Sequence, residues 1–195
     1  MGKKELVDIV DSLGRRTGKT ATREEVHEKG FYHRVVCGTL IDKNGYVVLT
    51  KRSKTSDIFP RRWIPIIGGH VMAGESYSNA MIREINEEVG ISLEEKDLYK
   101  TGIRELIDTS HLTNGKNKEV IEFMIAYLEN PLEKMILNLD EVEAVKRQTY
   151  TTMIENIIRG RSPLRCLPDE FVYKSTKEIR KYIENLRAKP NIGAA

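Results

Sequence analysis

The sequence predicts an α+β fold in which a mixed β-sheet is sandwiched between α-helices, an α/β/α sandwich. Two patterns carry that expectation. β-Branched and aromatic runs, separated by turns rich in Gly and Asn, fill much of the first two thirds of the chain, and helical periodicity marks residues 76–89 and the C-terminal region. In chain order, residues 6–10 read as a short strand, 12–15 as a Gly-rich turn and 23–28 as a short polar helix. Residues 31–41 are strand-like, and Asn44-Gly45 suits the tight turn that returns the chain along 46–50. A basic loop over 51–62 leads to a short strand at 63–67. Ser76 opens a helix that Gly90 ends, since glycine accepts the left-handed backbone of a helix C-cap. Residues 98–106 and 119–128 are further strands with an Asn114-Gly115 turn between them. Residues 139–160 are expected to be mainly helical from Asp140, Pro163 and Pro168 break the chain, and residues 176–189 form a closing amphipathic helix. The expected organisation is therefore a principal domain over 1–140 and a helical extension, 141–195, packed on it.

Composition narrows the class. A chain of 195 residues with 39% hydrophobic and 31% charged content is long enough to bury a core and reads as an ordinary soluble domain. It lacks an apolar run long enough to cross a bilayer or to act as a secretory leader, so a membrane role is not expected. Cys37 and Cys166 are too few and too far apart for a disulfide framework or a cysteine metal site, and Cys37, inside Val35-Val36-Cys37-Gly38, reads as a small buried hydrophobe. A cytoplasmic setting suits this picture. The net charge of +3 allows a nucleic-acid partner but does not favour one. The basic residues at Arg159, Arg161 and beyond Lys174 read first as a solvated helix face.

The chemistry concentrates on the helix at 76–89. At 100° per residue, Ile82, Ile85 and Val89 share the face expected to pack on the sheet, while Glu84, Glu87 and Glu88 occupy a different arc of roughly 100°. Like charges at this spacing cost a few tenths of a kcal/mol, and more if partly buried. A hard dication removes that penalty, and magnesium takes oxygen ligands while leaving positions for water and phosphate. An acidic stripe facing solvent is the plainer alternative for three glutamates alone.

More than three glutamates is fixed, however. Gly69 is followed after five residues by Glu75, and after seven more by Arg83-Glu84-Ile85-Asn86-Glu87-Glu88-Val89-Gly90-Ile91. This resembles the box of the Nudix family, G-x5-E-x7-R-E-U-x-E-E-x-G-U with U aliphatic, at every constrained position. The resemblance implies a metal-dependent hydrolase cutting a diphosphate linkage, with Mg2+ or Mn2+ as cofactor and a small diphosphate substrate of the nucleotide class as partner. It implies metal binding by Glu84, Glu87, Glu88 and the backbone of Gly69. It gives Arg83 and Glu75 the task of orienting those ligands. Glu119, on a later strand, is a candidate accessory ligand or base, and strand alternation sends Glu122 to the opposite face. In the basic loop, Arg52, Lys54 and Arg62 are candidates for binding substrate phosphates.

Beyond the box, Asp11-Ser12-Leu13-Gly14, His33-Arg34, Lys51-Arg52-Ser53 and Gly69-His70-Val71-Met72-Ala73-Gly74-Glu75 are similar to the Nudix branch close to isopentenyl-diphosphate isomerase. That isomerase carries metal-binding histidines near the positions of His27, His33 and His70, and an essential cysteine where this chain has Gly68. Where relatives commonly read Pro-Gly-x-Trp, this chain reads Pro60-Arg61-Arg62-Trp63. Hydrolysis is the expected reaction. The isomerase, an RNA 5′-end pyrophosphohydrolase and a non-catalytic nucleotide-sensing module stand as alternatives, and a homodimer is compatible with any of them.

Overall fold

The computed structural model of the chain describes residues 5–113, 115–129 and 132–188. Among these, nine strands join one mixed sheet: β1 (Leu6–Val10), β2 (Arg16–Thr22), β3 (His33–Asp42), β4 (Val47–Arg52), β5 (Trp63–Ile64), β6 (Ile67–His70), β7 (Leu98–Asp108), β8 (Lys118–Leu128) and β9 (Val142–Gln148). Four α-helices accompany them: α1 (Arg23–Lys29), α2 (Tyr77–Val89), α3 (Tyr150–Ile158) and α4 (Asp169–Ala188). β3 is the hub. It pairs antiparallel with β1, β4 and β6 and runs parallel to β8 over its whole length, from His33 opposite Glu119 to Asp42 opposite Leu128.

Alternation along β3 and β8 makes the sandwich. Val36 and Leu40 with Met124 and Ala126 point to one face, where Ala80, Met81, Ile85 and Val89 of α2 cover them. Cys37 and Ile41 with Phe123 and Ile125 point to the other, beneath Met153 of α3 and Phe171, Ile179 and Ile183 of α4. Cys37 is buried as expected, and burial pushes its thiol pKa up. The expected hairpin at Asn44-Gly45 is present: Gly45 has φ 75°, and Asp42 Oδ1 accepts the amides of Asn44 and Tyr46, both at 2.9 Å.

Three expectations change. The helix expected over 139–160 is instead a strand, β9, followed by the shorter α3; β9 lies antiparallel to β4, from Val47 opposite Gln148 to Arg52 opposite Val142. Its Glu, Lys and Arg residues suit a helix, but pairing at a sheet edge overrides that weak preference. The boundary expected near residue 140 thus falls just before a strand hydrogen-bonded into the sheet. Second, β2 is a strand where a turn and helix alone were expected. It pairs with β1, and five of its seven residues are exposed, so no apolar alternation announces it. Third, α4 begins at Asp169, directly after Pro168, rather than at Thr176. The Asn114-Gly115 turn and Lys189 lie partly or wholly outside the described residues.

Candidate active site

Helix α2 is capped by Ser76, whose side chain accepts the amide of Asn79, and ends at Gly90 with φ 67°. Its buried side is centred on Met81 and Ile85, both 0% exposed, with Ile82 only partly covered. Glu88 is about 20° from Met81 around the helix, which explains why a glutamate is only 8% exposed. Glu84 is nearly as covered, with 12% of its side chain accessible, whereas Glu87 is half exposed. The three carboxylates expected on one face therefore run from the buried edge of the helix to its solvent edge.

Arg83 organises them. Its Nε and Nη2 donate to the two oxygens of Glu75, each at 3.1 Å; Nη1 donates to Glu84 at 2.8 Å and Glu87 at 3.0 Å; Nη2 also donates to the carbonyl of His70 at 2.8 Å. All five guanidinium protons are in use. Burial would lower the Arg83 pKa, but the bonds to Glu75 and Glu84 outweigh it and raise it. Glu75 in turn accepts the amide of Met72 at 2.9 Å, which ties the Gly-rich loop to the helix.

Gly69 lies across β3 from Val36, on the face that α2 covers, and a Cβ on it would sit 2.5 Å from a Glu84 oxygen. The missing side chain is the space that Glu84 fills. Glu88 accepts the amide of Gly68 at 3.4 Å. These groups line an open pocket of about 310 Å³ that also receives Glu5, Asp57, Asp140 and Glu141, with Arg23 and Arg52 as its only cationic lining among the described residues. Burial raises Glu84 to about 7, against the pull of Arg83 and with the help of Glu87 and Glu141. Burial, with Glu84 and Glu141 nearby, raises Glu88 to about 8. A cluster of carboxylate oxygens, two of them from the buried Glu84 and Glu88, with too little positive charge beside it fits a hard divalent cation.

A second pocket, about 420 Å³, adjoins the first. It arises from strand register: His33 lies beside Glu119 in the β3–β8 pair, His70 lies opposite Val35, and α1 adds His27, so these side chains meet on the sheet face away from α2. The ligand nitrogens of His27, His33 and His70 all lie within 4.8 Å of one another. Burial holds all three below the usual histidine range, His33 at about 4. Glu119 accepts from Asn117 Nδ2 at 2.9 Å and Thr109 Oγ1 at 3.3 Å, and burial raises its pKa. Glu119 thus faces the histidines rather than the acidic pocket, while Glu122 points the other way, into a contact with Arg104.

Of the basic residues expected near substrate, Arg52 lines both pockets; Lys54 and Arg62 line neither, and Arg62 instead donates to the carbonyl of Arg161 at 3.1 Å. Trp63 packs against the α3/α4 side of the core under Lys146. Arg61 has a left-handed backbone with φ 59°, a conformation that glycine adopts at least cost. Sequence reasoning counted Arg23 among the residues similar to the isomerase-like branch but gave it no role in the site, and it missed Asp57, Asn117 and Glu141, which come from loops with no motif to mark them.

Comparison with known proteins follows the same lines. The family model of the NUDIX domain matches residues 31–165, and the chain belongs to the Nudix family. It is 31% identical over 148 residues to Nudix hydrolase 3 of Arabidopsis thaliana, covering 73% of this chain but 19% of that protein. It is 29% identical to an uncharacterised Nudix hydrolase of Clostridium acetobutylicum, covering 72% of this chain and 68% of the relative. An isopentenyl-diphosphate Δ-isomerase of Mycolicibacterium vanbaalenii is 32% identical over 89 residues, 45% of this chain and 49% of the relative. Among solved structures, DR0079 of Deinococcus radiodurans shares the fold with a TM-score of 0.61 at 18% identity, covering 91% of this chain and 98% of that one. A Francisella tularensis bifunctional NMN adenylyltransferase/ADP ribose pyrophosphatase, complexed with AMP and manganese, matches at a TM-score of 0.51 and 20% identity, covering 77% of this chain and 41% of that one. The relatives matched over more than two thirds of this chain carry the name Nudix hydrolase, and the chain spans only 19% of the length of the Arabidopsis protein. None of its helices is long and apolar enough to cross a membrane among the described residues.

Proposed function

We propose that this chain hydrolyses the diphosphate linkage of a nucleoside diphosphate derivative, using magnesium or manganese held by Glu84, Glu87, Glu88 and the backbone of Gly69. The observation that carries the reading is the desolvated carboxylate cluster of α2, locked by Arg83 and seated against a glycine that has no room for a side chain. A bound dication would neutralise the diphosphate and lower the pKa of an attacking water. In the reaction, water adds to one phosphorus and the bridging oxygen departs on the other phosphate, leaving two phosphate monoesters. Arg83 and Glu75 position the ligands, and Arg52 meets the phosphates at the rim. The manganese and AMP held by the Francisella neighbour support this choice of ion and nucleotide, and the two free cysteines suit a reducing cytoplasm.

The isomerase alternative is disfavoured by Gly68, the place of that enzyme's cysteine. Its φ of 143° belongs to glycine, and a Cβ there would lie 2.2 Å from the carbonyl oxygen of Val36. The test is a screen of nucleoside diphosphate sugars, dinucleoside polyphosphates and nucleoside triphosphates with magnesium, beside isopentenyl diphosphate. Metal-dependent release of a nucleoside monophosphate is expected. Dimethylallyl diphosphate as the sole product, or tight nucleotide binding with no turnover across the panel, would contradict it.

A further inference from the structure

One role in the acidic pocket is unfilled. On the reading above, Glu84, Glu87 and Glu88 spend their oxygens on the metal, and Glu119 faces the histidines, so the proton released by an attacking water has no acceptor among them. Four other carboxylates line the pocket: Glu5, Asp57, Asp140 and Glu141. Of these, Glu141 is the one whose charge reaches both Glu84 and Glu88. It makes no ion pair among the described residues, and the chain holds it in place from several sides.

A strap over residues 132–141 brings it there. Leu132, Met135 and Leu137 pack against the core that α2 covers. The amides of Ile136 and Asn138 donate to the carbonyls of Val89 and Glu88, each at 3.0 Å, and so satisfy the open end of the helix. Gly90 makes room for the crossing, since a Cβ on it would lie 2.7 Å from the carbonyl oxygen of Ile136. Asn138 is the hub of the strap. Its carbonyl accepts the amides of Glu141 at 3.0 Å and Val142 at 2.8 Å, its Oδ1 accepts the amide of Asp140 at 3.2 Å, and its Nδ2 donates to Glu141 Oε1 at 3.1 Å. The side-chain amide cannot be turned round, because the Asp140 N–H needs an acceptor and the Glu141 carboxylate a donor. From the other side, the amide of Ser53 donates to the carbonyl of Glu141 at 2.9 Å. One oxygen of Glu141 is thus held, while Oε2, on an exposed side chain that lines the pocket, makes no bond among the described residues.

We propose, resting on the hydrolase reading above, that Glu141 receives the proton of the attacking water and that Asn138 is the positioning residue that holds Glu141 for it. As the water oxygen bonds to phosphorus and the bridging P–O bond breaks, the bridging oxygen leaves with its electron pair on the other phosphate, and the water proton passes to Glu141 Oε2. Asn138 bonds at once to the backbone of Glu88 and to the carboxylate of Glu141, so it fixes the proton acceptor relative to the end of α2 that carries Glu88.

The test uses the full chain with magnesium and the most rapidly cleaved nucleotide of the panel above. Glu141→Ala should lower kcat by about 10²–10³-fold, and sodium formate, a carboxylate small enough to enter the vacated space, should restore roughly tenfold or more. Calorimetry with manganese alone should show that Glu141→Ala keeps the natural affinity to within about threefold, whereas Glu88→Gln should weaken it by at least about tenfold. Asn138→Asp keeps an acceptor for the Asp140 amide but sets a like charge against Glu141. It should lower kcat by roughly tenfold or more with KM little changed, and should cost nothing further once residue 141 is alanine. Turnover that survives in Glu141→Ala, loss of manganese binding in that variant, a defect that formate does not relieve, or additive effects of the two substitutions would each overturn the proposal. Absence of turnover by the natural protein across the whole panel would instead remove the hydrolase reading, and this proposal with it.

Discussion

Replacing Glu88 by glutamine is expected to lower kcat by roughly 10²–10³-fold, about 3–4 kcal/mol in activation free energy, while leaving the fold intact. Glu88 differs from its neighbours in its contacts. Glu84 and Glu87 both accept bonds from Arg83, so changing either also disturbs the hub that holds Glu75 and the loop. Glu88 makes no bond to Arg83; its polar contact is the amide of Gly68, which the oxygen of a glutamine also accepts. What glutamine removes is a buried negative charge in a site that needs one to hold a dication. The loss should therefore persist when magnesium is raised well above the level that saturates the natural enzyme. Full activity in the Glu88→Gln variant would contradict the role given to α2.

In metal-free protein, stability is expected to fall as pH rises from about 6.5 to 8, and magnesium is expected to reverse the fall. Glu88 is held at about 8 and Glu84 at about 7, against an ordinary glutamate value of 4.5. Between 4.5 and those values the folded chain keeps protons that the unfolded chain releases, so rising pH favours unfolding; this contribution is complete below 4.5 and gone above 8. The histidines act in the opposite sense. His33 is depressed to about 4, so it destabilises the fold only as pH drops below 6.5, and the interval above 6.5 isolates the glutamates. Because metal ligands must be deprotonated, the rise in melting temperature on adding magnesium should be larger at pH 8 than at pH 6.5. Thermal melts in EDTA and in magnesium across this interval read both effects. A flat or rising profile in EDTA would contradict the burial of these carboxylates, and the Glu88→Gln variant should flatten it.

The box was legible because its roles are local: one helix supplies Arg83, Glu84, Glu87 and Glu88, and helical geometry fixes their relation. The opposite facing of Glu119 and Glu122 was legible from strand period alone. Which pocket Glu119 enters was not, because that depends on the register of β8 against β3. The strand at Val142–Gln148 was hidden by helix-favouring residues that only its pairing with β4 overrides. β2 was hidden because an exposed hairpin arm buries almost nothing. Asn117 carries no motif, and its place beside Glu119 and the histidines appears only once the chain is folded.

The most direct test of the metal site proposed at the α2 carboxylates is a crystal structure of the chain with manganese and methylene-bridged ADP-ribose, read by anomalous scattering at the manganese edge. A peak is expected among the carboxylates of Glu84, Glu87 and Glu88, beside Gly69. Ligand density with no anomalous peak on that surface would contradict it.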